Sequence, residues 1–381
     1  MYKAYRFRLY PTNKQKNIIA QTLGNLRLIY NYYANKMQTQ GYVSAYHNYK
    51  DCEKNLIPKY PFLNQTDKNF VKKVLYKLED NYKKNLSIGI KTIKYKSRYG
   101  KNSYTTQVAY TYNKNLRQKI SNINLNLLNH TLELPNIGPL KIRGYKNINK
   151  INGEMKNVTI VREKTGKYYA SVLYDIPILP KVKPTTIVGL DLGIKKLVTT
   201  SDGTLYKNNK YINEYENKIK REQFKLSKKQ KGSKNYYKSI NKLNTLYTKL
   251  KNARKYTIHK ITKEITDNYD IIITETLTTK KMIMNKESNL SKNITDATFS
   301  EIIRELEYKS KEKGKYIYKI NSFYPSSQLC SLCENRDKDY KNLSKRTYEC
   351  KYCRNTLDRD VNASINIMFK GLRLYIKDQF S

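Results

Sequence analysis

The sequence is short of the features that mark several classes of protein. Only 14 glycines and 9 prolines occur in 381 residues, which excludes a collagenous or low-complexity chain. No run of about 18 uncharged apolar residues is present, although a membrane-spanning helix needs one. The first residues include Lys3, Arg6 and Arg8 where a signal peptide needs an apolar region. These absences predict an intracellular protein of prokaryotic type, cytoplasmic and associated with the nucleoid, with no membrane partner.

Acidic residues are also scarce. The chain has 31 Asp and Glu against 75 Lys and Arg, which gives a formal net charge of +44. Such a charge attracts phosphate polymers, because each neutralised phosphate releases condensed counterions. Tryptophan is absent, but 37 tyrosines occur, many of them beside Lys or Arg, where their rings could stack on unpaired bases. An AT-rich genome would enrich Lys, Asn, Ile and Tyr together. The net charge therefore indicates a nucleic-acid partner more strongly than any single lysine does.

The first half of the chain combines helical and β-like patterns. Tyr2 to Tyr10 alternate as in a strand, and Pro11-Thr12 precedes a helix that is predicted over about 13–37. A second helix is predicted over about 66–85. Short β-like runs follow, broken by Asn, Gly and Pro, and they predict a small barrel or sandwich that the first strand joins. The helices suggest a helix-turn-helix reader or a helical lobe that holds nucleic acid. The lobe is favoured because no compact recognition helix stands out.

The second half has the strand and helix order of an α/β domain. After a linker-like stretch at 180–184, buried apolar strands alternate with helices, and this order excludes a run of repeats. The predicted elements are strands at 187–191, 197–200, 271–274 and 315–320, a Lys-rich helical hairpin at about 211–268 interrupted at Gly232-Ser233, and helices at about 297–313 and from about Asp360.

Four cysteines are the strongest local signal. Cys330 and Cys333 form one C-x2-C pair, and Cys350 and Cys353 form another, with sixteen residues between the pairs. Two thiolates on each of two tight turns can complete a tetrahedral Zn²⁺ shell. Such a site is structural, because four protein ligands leave no open position. Disulfides or free thiols are the alternative, which an intracellular location disfavours. Cys52 stands alone, and we expect it to be a small buried hydrophobe.

Three carboxylates on separated elements form a second constellation. Asp191 and Glu275 each end an apolar strand, and Asp360 opens the last helix. A charge at the end of a buried strand is costly unless it is paired or bound to a metal. If the three converge on one sheet edge, they form an oxygen site suited to Mg²⁺ or Mn²⁺, which can clamp the attacking water and leaving oxygen of a phosphodiester. Singly, Asp191 could be a turn or cap residue, and Asp358 or Asp360 could be a helix N-cap.

These features and the residues around them resemble the TnpB family, the insertion-sequence-encoded RNA-guided DNA nucleases related to the type V CRISPR effectors. The resemblance covers the whole length in family order, and its last two blocks are the most specific. It rests on Tyr5–Pro11, Gly189–Lys195, Thr274–Leu277 with Met282, Phe323–Cys330, and Asp358–Ile367.

The resemblance implies an α/β multi-domain fold. It has an RNase H-like (RuvC) nuclease domain with a four-cysteine zinc insert, and an N-terminal β-barrel with a helical insertion. The expected boundaries are 1–12 and 103–180 for the wedge-like barrel, 13–102 for the helical nucleic-acid recognition lobe, 185–322 and 358–381 for the nuclease domain, and 323–357 for the insert, which would bind target nucleic acid.

The resemblance also implies roles for particular residues. Asp191, Glu275 and Asp360 would be the catalytic, metal-binding triad. Arg346 matches an arginine position of the insert and could contact the scissile phosphate, although it could equally be a surface cation near the zinc.

The chain departs from the family pattern at three positions. Glu334 and Arg354 stand where Gly usually follows each second cysteine, and Ser364 stands where Ala is usual. The first two departures weaken the argument for tight knuckle turns, but none of the three replaces a ligand.

The implied function is that of an insertion-sequence RNA-guided DNA endonuclease. Its partners would be a guide RNA from the transposon end and a double-stranded DNA target. It would cut beside a short transposon-adjacent motif by Mg²⁺-dependent two-metal hydrolysis. One alternative is a guide-directed repressor that has lost cleavage, which the three intact carboxylates disfavour. The other is a transposase or resolvase that acts on DNA without RNA.

Overall fold

The structure is a computed structural model, and it divides the chain into two compact units, Met1–Pro177 and Ile178–Ser381. Leu277, Met282 and Lys195, which contribute to the TnpB resemblance, lie outside the described residues. In the described part of the chain, no helix combines the length and apolar character needed to cross a membrane. The described residues are 1–90, 92–98, 100, 102–113, 118–144, 151–193, 196–208, 211–276, 289–341 and 345–380.

The described residues of the first unit form nine strands, with helices inserted after the first of them. A π-helical turn at Cys52–Leu56 precedes the third helix, and a 3₁₀ turn at Pro61–Gln65 follows it. The elements are β1 (Tyr2–Tyr10), α1 (Asn13–Gln40), α2 (Ala45–Asp51), α3 (Ile57–Lys59), α4 (Lys68–Ser87), β2 (Asn102–Gln107), β3 (Tyr110–Asn113), β4 (Gln118–Ser121), β5 (Asn124–Asn126), β6 (Thr131–Leu134), β7 (Gly138–Arg143), β8 (Glu154–Arg162) and β9 (Tyr168–Asp175).

Seven of these strands form one sheet, in the order β2-β8-β9-β1-β7-β6-β5, and β3 and β4 pair separately. The first strand therefore joins the later strands, as predicted, and α1 and α4 confirm the two predicted helices. The side chain of Thr12 accepts a hydrogen bond from the backbone N–H of Gln15 and caps α1. The described residues show no ladder between the edge strands β2 and β5, so closure into a barrel stays a prediction.

The core of the first unit is shared between the sheet and the helices. Alternate residues of β1 are buried against apolar residues of α1 and α4, in one continuous cluster. Cys52 is fully buried in the same cluster, as expected. The predicted division of this unit into a barrel and a separate lobe stays a prediction.

The second unit is built on a five-stranded mixed sheet. Short 3₁₀ turns occur at Ser326–Gln328 and Lys338–Lys341. The elements are β10 (Ile187–Asp191), β11 (Lys196–Thr200), β12 (Leu205–Lys207), α5 (Tyr211–Ser227), α6 (Lys234–Asn268), β13 (Ile271–Glu275), α7 (Asn289–Glu312), β14 (Tyr316–Ile320), β15 (Thr347–Glu349), β16 (Thr356–Asp358) and α8 (Arg359–Gln379).

The strand order of this sheet is β12-β11-β10-β13-β14. The pairs β10–β13 and β13–β14 are parallel, and the other two are antiparallel. The predicted strands and the helical hairpin are confirmed, whereas the helix expected from about residue 297 begins earlier, at Asn289. On one sheet face, Ile272 packs with residues of α6 and α7. On the other face, Ile271 and Ile273 pack with Ile367 of α8. Burial on both faces explains the continuous apolar runs of the central strands.

Two glycines allow α8 to lie directly on the central strands. A Cβ atom on Gly189 of β10 would lie 2.1 Å from the backbone oxygen of Ser364 and 2.6 Å from the backbone nitrogen of Met368. A Cβ on Gly371 of α8 would lie 2.1 Å from Cγ2 of Ile273. The absence of these two side chains therefore sets the distance between helix and sheet.

We expect Gly189→Ala to destabilise the second unit by about 2 kcal/mol or more, because backbone atoms of α8 must move to admit the methyl group. Thermal or urea unfolding measures this loss. Gly24→Ala is the matched control: a Cβ at this helical position meets only Arg27 Nη2, at 3.9 Å, so the substitution should stabilise α1 by about 0.5–1 kcal/mol. Equal stability of Gly189→Ala and the parent protein would contradict the close approach.

Candidate functional site

The structure brings the three predicted carboxylates to one edge of the second sheet. In the parallel pair of β10 and β13, Leu190 lies opposite Thr274, and the next residues along the two strands are Asp191 and Glu275. Both carboxylates therefore stand at the carboxyl ends of neighbouring strands. Asp360 is the second residue of α8, and its charge contributes to the electrostatic environment of Asp191.

Asp191 is repelled by the other two carboxylates in a partly buried place. Burial raises the pKa of Asp191 to about 7, and the negative charges of Glu275 and Asp360 add to that rise. The positive charge of Arg359 opposes it. Burial also raises the pKa of Glu275, although Ser326 Oγ donates a 2.6 Å hydrogen bond to its Oε1 and acts in the opposite direction. The site therefore has more negative charge than the surrounding side chains neutralise.

Lys196 supplies part of the missing positive charge. Its Nζ lies 2.7 Å from Asp358 Oδ2 and 3.2 Å from Asp360 Oδ2. Burial lowers the pKa of Lys196, but hydrogen bonds to the two aspartates outweigh burial and raise the pKa overall. Asp358 accepts hydrogen bonds from the backbone N–H groups of Asp360 and Val361. It is thus the N-cap of α8, which confirms that interpretation for Asp358.

Arg359 connects the start of α8 to the segment that carries the cysteines. It is only 5% exposed. Its guanidinium donates to the carbonyl of Lys345 at 3.3 Å and to Ser327 Oγ at 3.5 Å, and its backbone N–H donates to the carbonyl of Arg346 at 2.8 Å. The Arg346 side chain is exposed.

Two asparagines one helical turn apart on α8 hold the other end of this segment. Asn362 Nδ2 and Asn366 Nδ2 each donate to the carbonyl of Leu329 at 2.7 Å. Asn362 Oδ1 accepts from the N–H of Ser331 at 2.9 Å, and Asn366 Nδ2 also donates to the carbonyl of Ser326 at 2.8 Å. The first cysteine turn and the partner of Glu275 are therefore fixed by the same helix.

The four cysteines form a compact cluster. Among the described residues, they are the one group of three or more His, Cys, Asp or Glu side chains placed to hold a metal ion, and their ligand atoms all lie within 4.8 Å of one another. The Sγ atoms of Cys330 and Cys353 are 3.5 Å apart, as are those of Cys333 and Cys350. Four sulfur donors at this spacing fit a tetrahedral Zn²⁺ ion.

The two cysteine turns have the same backbone geometry. The N–H of Glu334 donates to the carbonyl of Cys330 at 3.0 Å, and the N–H of Arg354 donates to the carbonyl of Cys350 at 3.0 Å. Glu334 and Arg354 have φ angles of 60° and 57°, the left-handed region that favours glycine and costs other residues about 1–2 kcal/mol. The chain thus forms both knuckle turns without the usual glycines, at a cost in backbone strain.

Several residues that contact the carboxylates or hold the cysteine segment were missed from the sequence. Their contacts join segments that lie far apart in the sequence, so only the folded structure reveals them. Arg359 had a local signal, because it lies between the two aspartates of Asp358-Arg-Asp360, and Ser326 lies in the Pro-Ser-Ser block that supports the resemblance. The missed residues are Lys196, Ser326, Arg359, Asn362 and Asn366.

Three family models match the chain in order. Residues 1–42 match a model described as "Helix-turn-helix domain", residues 169–286 one described as "Probable transposase", and residues 299–367 one described as "Cas12f1-like, TNB domain". Within residues 1–42 the structure has one strand, β1, and one helix, α1.

Relatives and a solved structure extend these matches along the chain. A Streptomyces pristinaespiralis protein named "Putative RNA-guided DNA endonuclease" is 28% identical, over 97% of this chain and 89% of its own length. "Putative RNA-guided DNA endonuclease InsQ" of Escherichia coli (strain K12) is 30% identical, over 65% of this chain and 64% of its own length. The structure titled "Cryo-EM structure of the Cas12f1-sgRNA-target DNA complex" has a TM-score of 0.55 at 14% identity, over 97% of this chain and 98% of that one, which is a likeness of fold. The ordered family matches and these relatives support membership of the TnpB family.

Proposed function

We propose that this protein is an RNA-guided DNA endonuclease of an insertion sequence, which cuts DNA beside a short transposon-adjacent motif. The observation that carries the proposal is the meeting of Asp191, Glu275 and Asp360 at one sheet edge, where burial and then the charges of the other two carboxylates raise the pKa of Asp191. The names of the two relatives support an RNA-guided nuclease, and the Cas12f1 structure with guide RNA and target DNA supports the same partners.

The carboxylate site fits divalent cations. Its donors are carboxylate oxygens, which Mg²⁺ and Mn²⁺ prefer, and its excess negative charge calls for a counter-charge. Two bound cations would supply Lewis-acid stabilisation of the charge that develops on the phosphate. In this role Asp191 and Glu275 hold their positions on rigid strands, Ser326 orients Glu275, and Lys196 holds Asp360 through its ion pair.

The cysteine segment, residues 323–357, is proposed to bind target nucleic acid around a structural zinc ion. Cys330, Cys333, Cys350 and Cys353 would be the ligands. Arg346 is the candidate phosphate contact. Its side chain is exposed, and its backbone carbonyl accepts a hydrogen bond from the N–H of Arg359, the residue before Asp360.

The remaining domain assignments complete the proposal. Residues 185–322 and 358–381 would form the RuvC-like nuclease domain, which the mixed sheet order of the second unit supports. In the first unit, a wedge-like barrel of 1–12 and 103–180 and a lobe of 13–102 would hold the guide RNA and inspect the adjacent DNA motif. Sequence recognition would be delegated mainly to base pairing with the guide.

A transposase or resolvase that acts without RNA is the second candidate, favoured by the "Probable transposase" description of residues 169–286. Sequencing the nucleic acid that co-purifies with the full chain separates the two. A discrete RNA from the transposon end supports the guided nuclease, and its absence supports the transposase.

Asp191→Ala should lower the rate of DNA cleavage about a thousandfold or more, because a cation would lose a ligand at the centre of the site. Guide-dependent DNA binding should stay within a few-fold of the parent protein. Cleavage rates in Mg²⁺ and gel-shift affinities test both parts. Asp80→Ala, which removes an exposed carboxylate from α4, is the control and should cut normally. Cleavage by Asp191→Ala at the parent rate would refute the assignment.

Elemental analysis should find one zinc per chain, and strong chelation or Cys350→Ser should expose residues 323–357 to proteolysis, because the metal orders this segment. Arg354→Gly should act in the opposite direction and slow proteolysis, because glycine removes the strain of the left-handed φ angle of 57°. Zinc-free protein that resists proteolysis as well as the parent would disprove a structural zinc site.

Guide RNA should raise the melting temperature of the protein strongly, because bound phosphates relieve the self-repulsion of a chain with net charge +44. This increase in melting temperature should become smaller as the salt concentration rises, since RNA binding releases counterions. Thermal unfolding with guide RNA, unrelated RNA of equal length and duplex DNA, at two salt concentrations, tests this. Equal stabilisation by all three would indicate generic polyanion binding and argue against a guide.

A further inference from the structure

The outward face of β1 carries cations and tyrosines that the proposed nuclease site does not use. Tyr5, Phe7 and Leu9 of this strand are buried in the core, so Arg6, Arg8 and Tyr10 point outward. In the ladders beside β1, Arg8 lies opposite Tyr169 of β9 and Arg143 of β7, and Tyr10 lies opposite Lys141. We name these six outward residues the arginine face: Arg6, Arg8, Tyr10, Lys141, Arg143 and Tyr169.

Arg8 lies near two aromatic rings. Its Cζ lies 5.4 Å from the ring centroid of Tyr10 and 5.0 Å from that of Tyr169. Arg6 also lies over Tyr169, with its Cζ at 4.0 Å, and donates to Glu163 Oε1 at 2.6 Å. Nη1 of Arg8 donates to the carbonyl of Tyr168 at 3.4 Å, and a guanidinium over aromatic rings keeps its other in-plane N–H groups available for a phosphate or carboxylate. Arg8 is thus oriented in advance for an anionic ligand.

The charges on this face are not balanced within the described part of the chain. The ion pair there is that of Arg6 with Glu163, while Arg8, Lys141 and Arg143 have no carboxylate of the described residues within ion-pair distance. Arg8 and Arg143 lie directly opposite each other, and like charges in that position destabilise a sheet by a few tenths of a kcal/mol. An anionic group bound between the two arginines would be attracted by both and would offset their repulsion.

The shape of the face indicates which nucleic acid would bind. A broad sheet surface does not enter the major groove of a duplex, which admits a helix or a two-stranded ribbon. Aromatic residues on a sheet instead stack on unpaired bases, while neighbouring cations bind the backbone. Tyr10 is 48% exposed and available for such stacking, and Lys141 and Arg143 are exposed beside it.

We propose that the arginine face binds an unpaired segment of the guide RNA, with Arg8 and Arg143 on phosphates and Tyr10 stacked on a base. This inference rests on the proposed function, because it takes the guide as the single strand present. The guide is favoured over displaced target DNA because the protein holds it before any DNA duplex is opened.

The test uses the full chain and a labelled single-stranded RNA of about 12 nucleotides, with the same sequence as DNA for comparison. Fluorescence anisotropy at several salt concentrations gives affinity and salt dependence. Arg8→Gln and Arg143→Gln should each weaken RNA binding about 5- to 30-fold and reduce the salt slope by about 1. Arg8→Lys should lose part of the affinity, since it keeps the charge but not the planar stack. Arg221→Gln, which removes the same charge from an exposed position on α5, should bind within about twofold of the parent protein.

Two further measurements separate ligand binding from a structural role. Without RNA, Arg143→Gln should melt at the same or a higher temperature than the parent protein, because it relieves the repulsion with Arg8. A merely structural arginine would lower the melting temperature when removed. RNA that carries 4-thiouridine should also photo-crosslink to the tryptic peptide that contains Tyr10.

Three results would overturn the inference. Unchanged affinity and salt slope in both glutamine variants, together with normal guided cleavage, would leave the proposed function intact and reject this face as its RNA site. Tighter binding of the DNA strand, lost in the same variants, would make displaced DNA the ligand. A parent protein that neither retains RNA nor cuts guided DNA would refute the proposed function, and this inference with it.

Discussion

The contact between α8 and the two central parallel strands is the constraint on which the second unit depends. Gly189 and Gly371 lack the side chains that would keep helix and sheet apart. Because the helix lies so close, its first turn stays beside the carboxyl ends of β10 and β13, where Asp191 and Glu275 stand. The same helix binds the cysteine segment through Asn362. One packing distance therefore positions both the carboxylates and the cysteines.

The electrostatics of the carboxylate edge follow from this packing. A partly buried aspartate would normally be offset by an arginine or lysine at its own oxygens. Here Lys196 pairs with Asp358 and Asp360, while the pKa of Asp191 stays raised to about 7. The negative charge is concentrated where the two strands end, and the positive charge is displaced toward the helix cap. Such a separation is unfavourable for stability alone and useful for binding a cation.

The sequence was most informative where local pattern and tertiary structure agree. The apolar runs of β10 and β13 are buried on both faces, so each run alone indicates a central strand. The cysteines were informative for a different reason, since two C-x2-C pairs place four thiols on two short turns, a spacing typical of zinc ligands. The short helix α2 and the β3–β4 pair were not predicted, because their few residues carry little periodicity and depend on neighbours for stability.

The contacts that orient the site were hidden for a different reason. Ser326 and Glu275 belong to distant segments, and no local pattern shows that a hydroxyl of one will donate to a carboxylate of the other. The left-handed φ angles of Glu334 and Arg354 were hidden as well, because propensity favours glycine at such positions. Both turns occur in the cysteine cluster, where the backbone adopts them against local preference.

The order in which the carboxylates occur along the chain also governs when the site can form during synthesis. The Met1–Pro177 unit has its own core and can fold while the rest is being translated. Asp191 and Glu275 follow, but their sheet face stays uncovered until α8 has left the ribosome. A ribosome that pauses before this helix therefore carries a chain with a complete first unit and no Asp360. The proposed RNA-binding face of the first unit can therefore form well before the carboxylate edge of the second unit is complete.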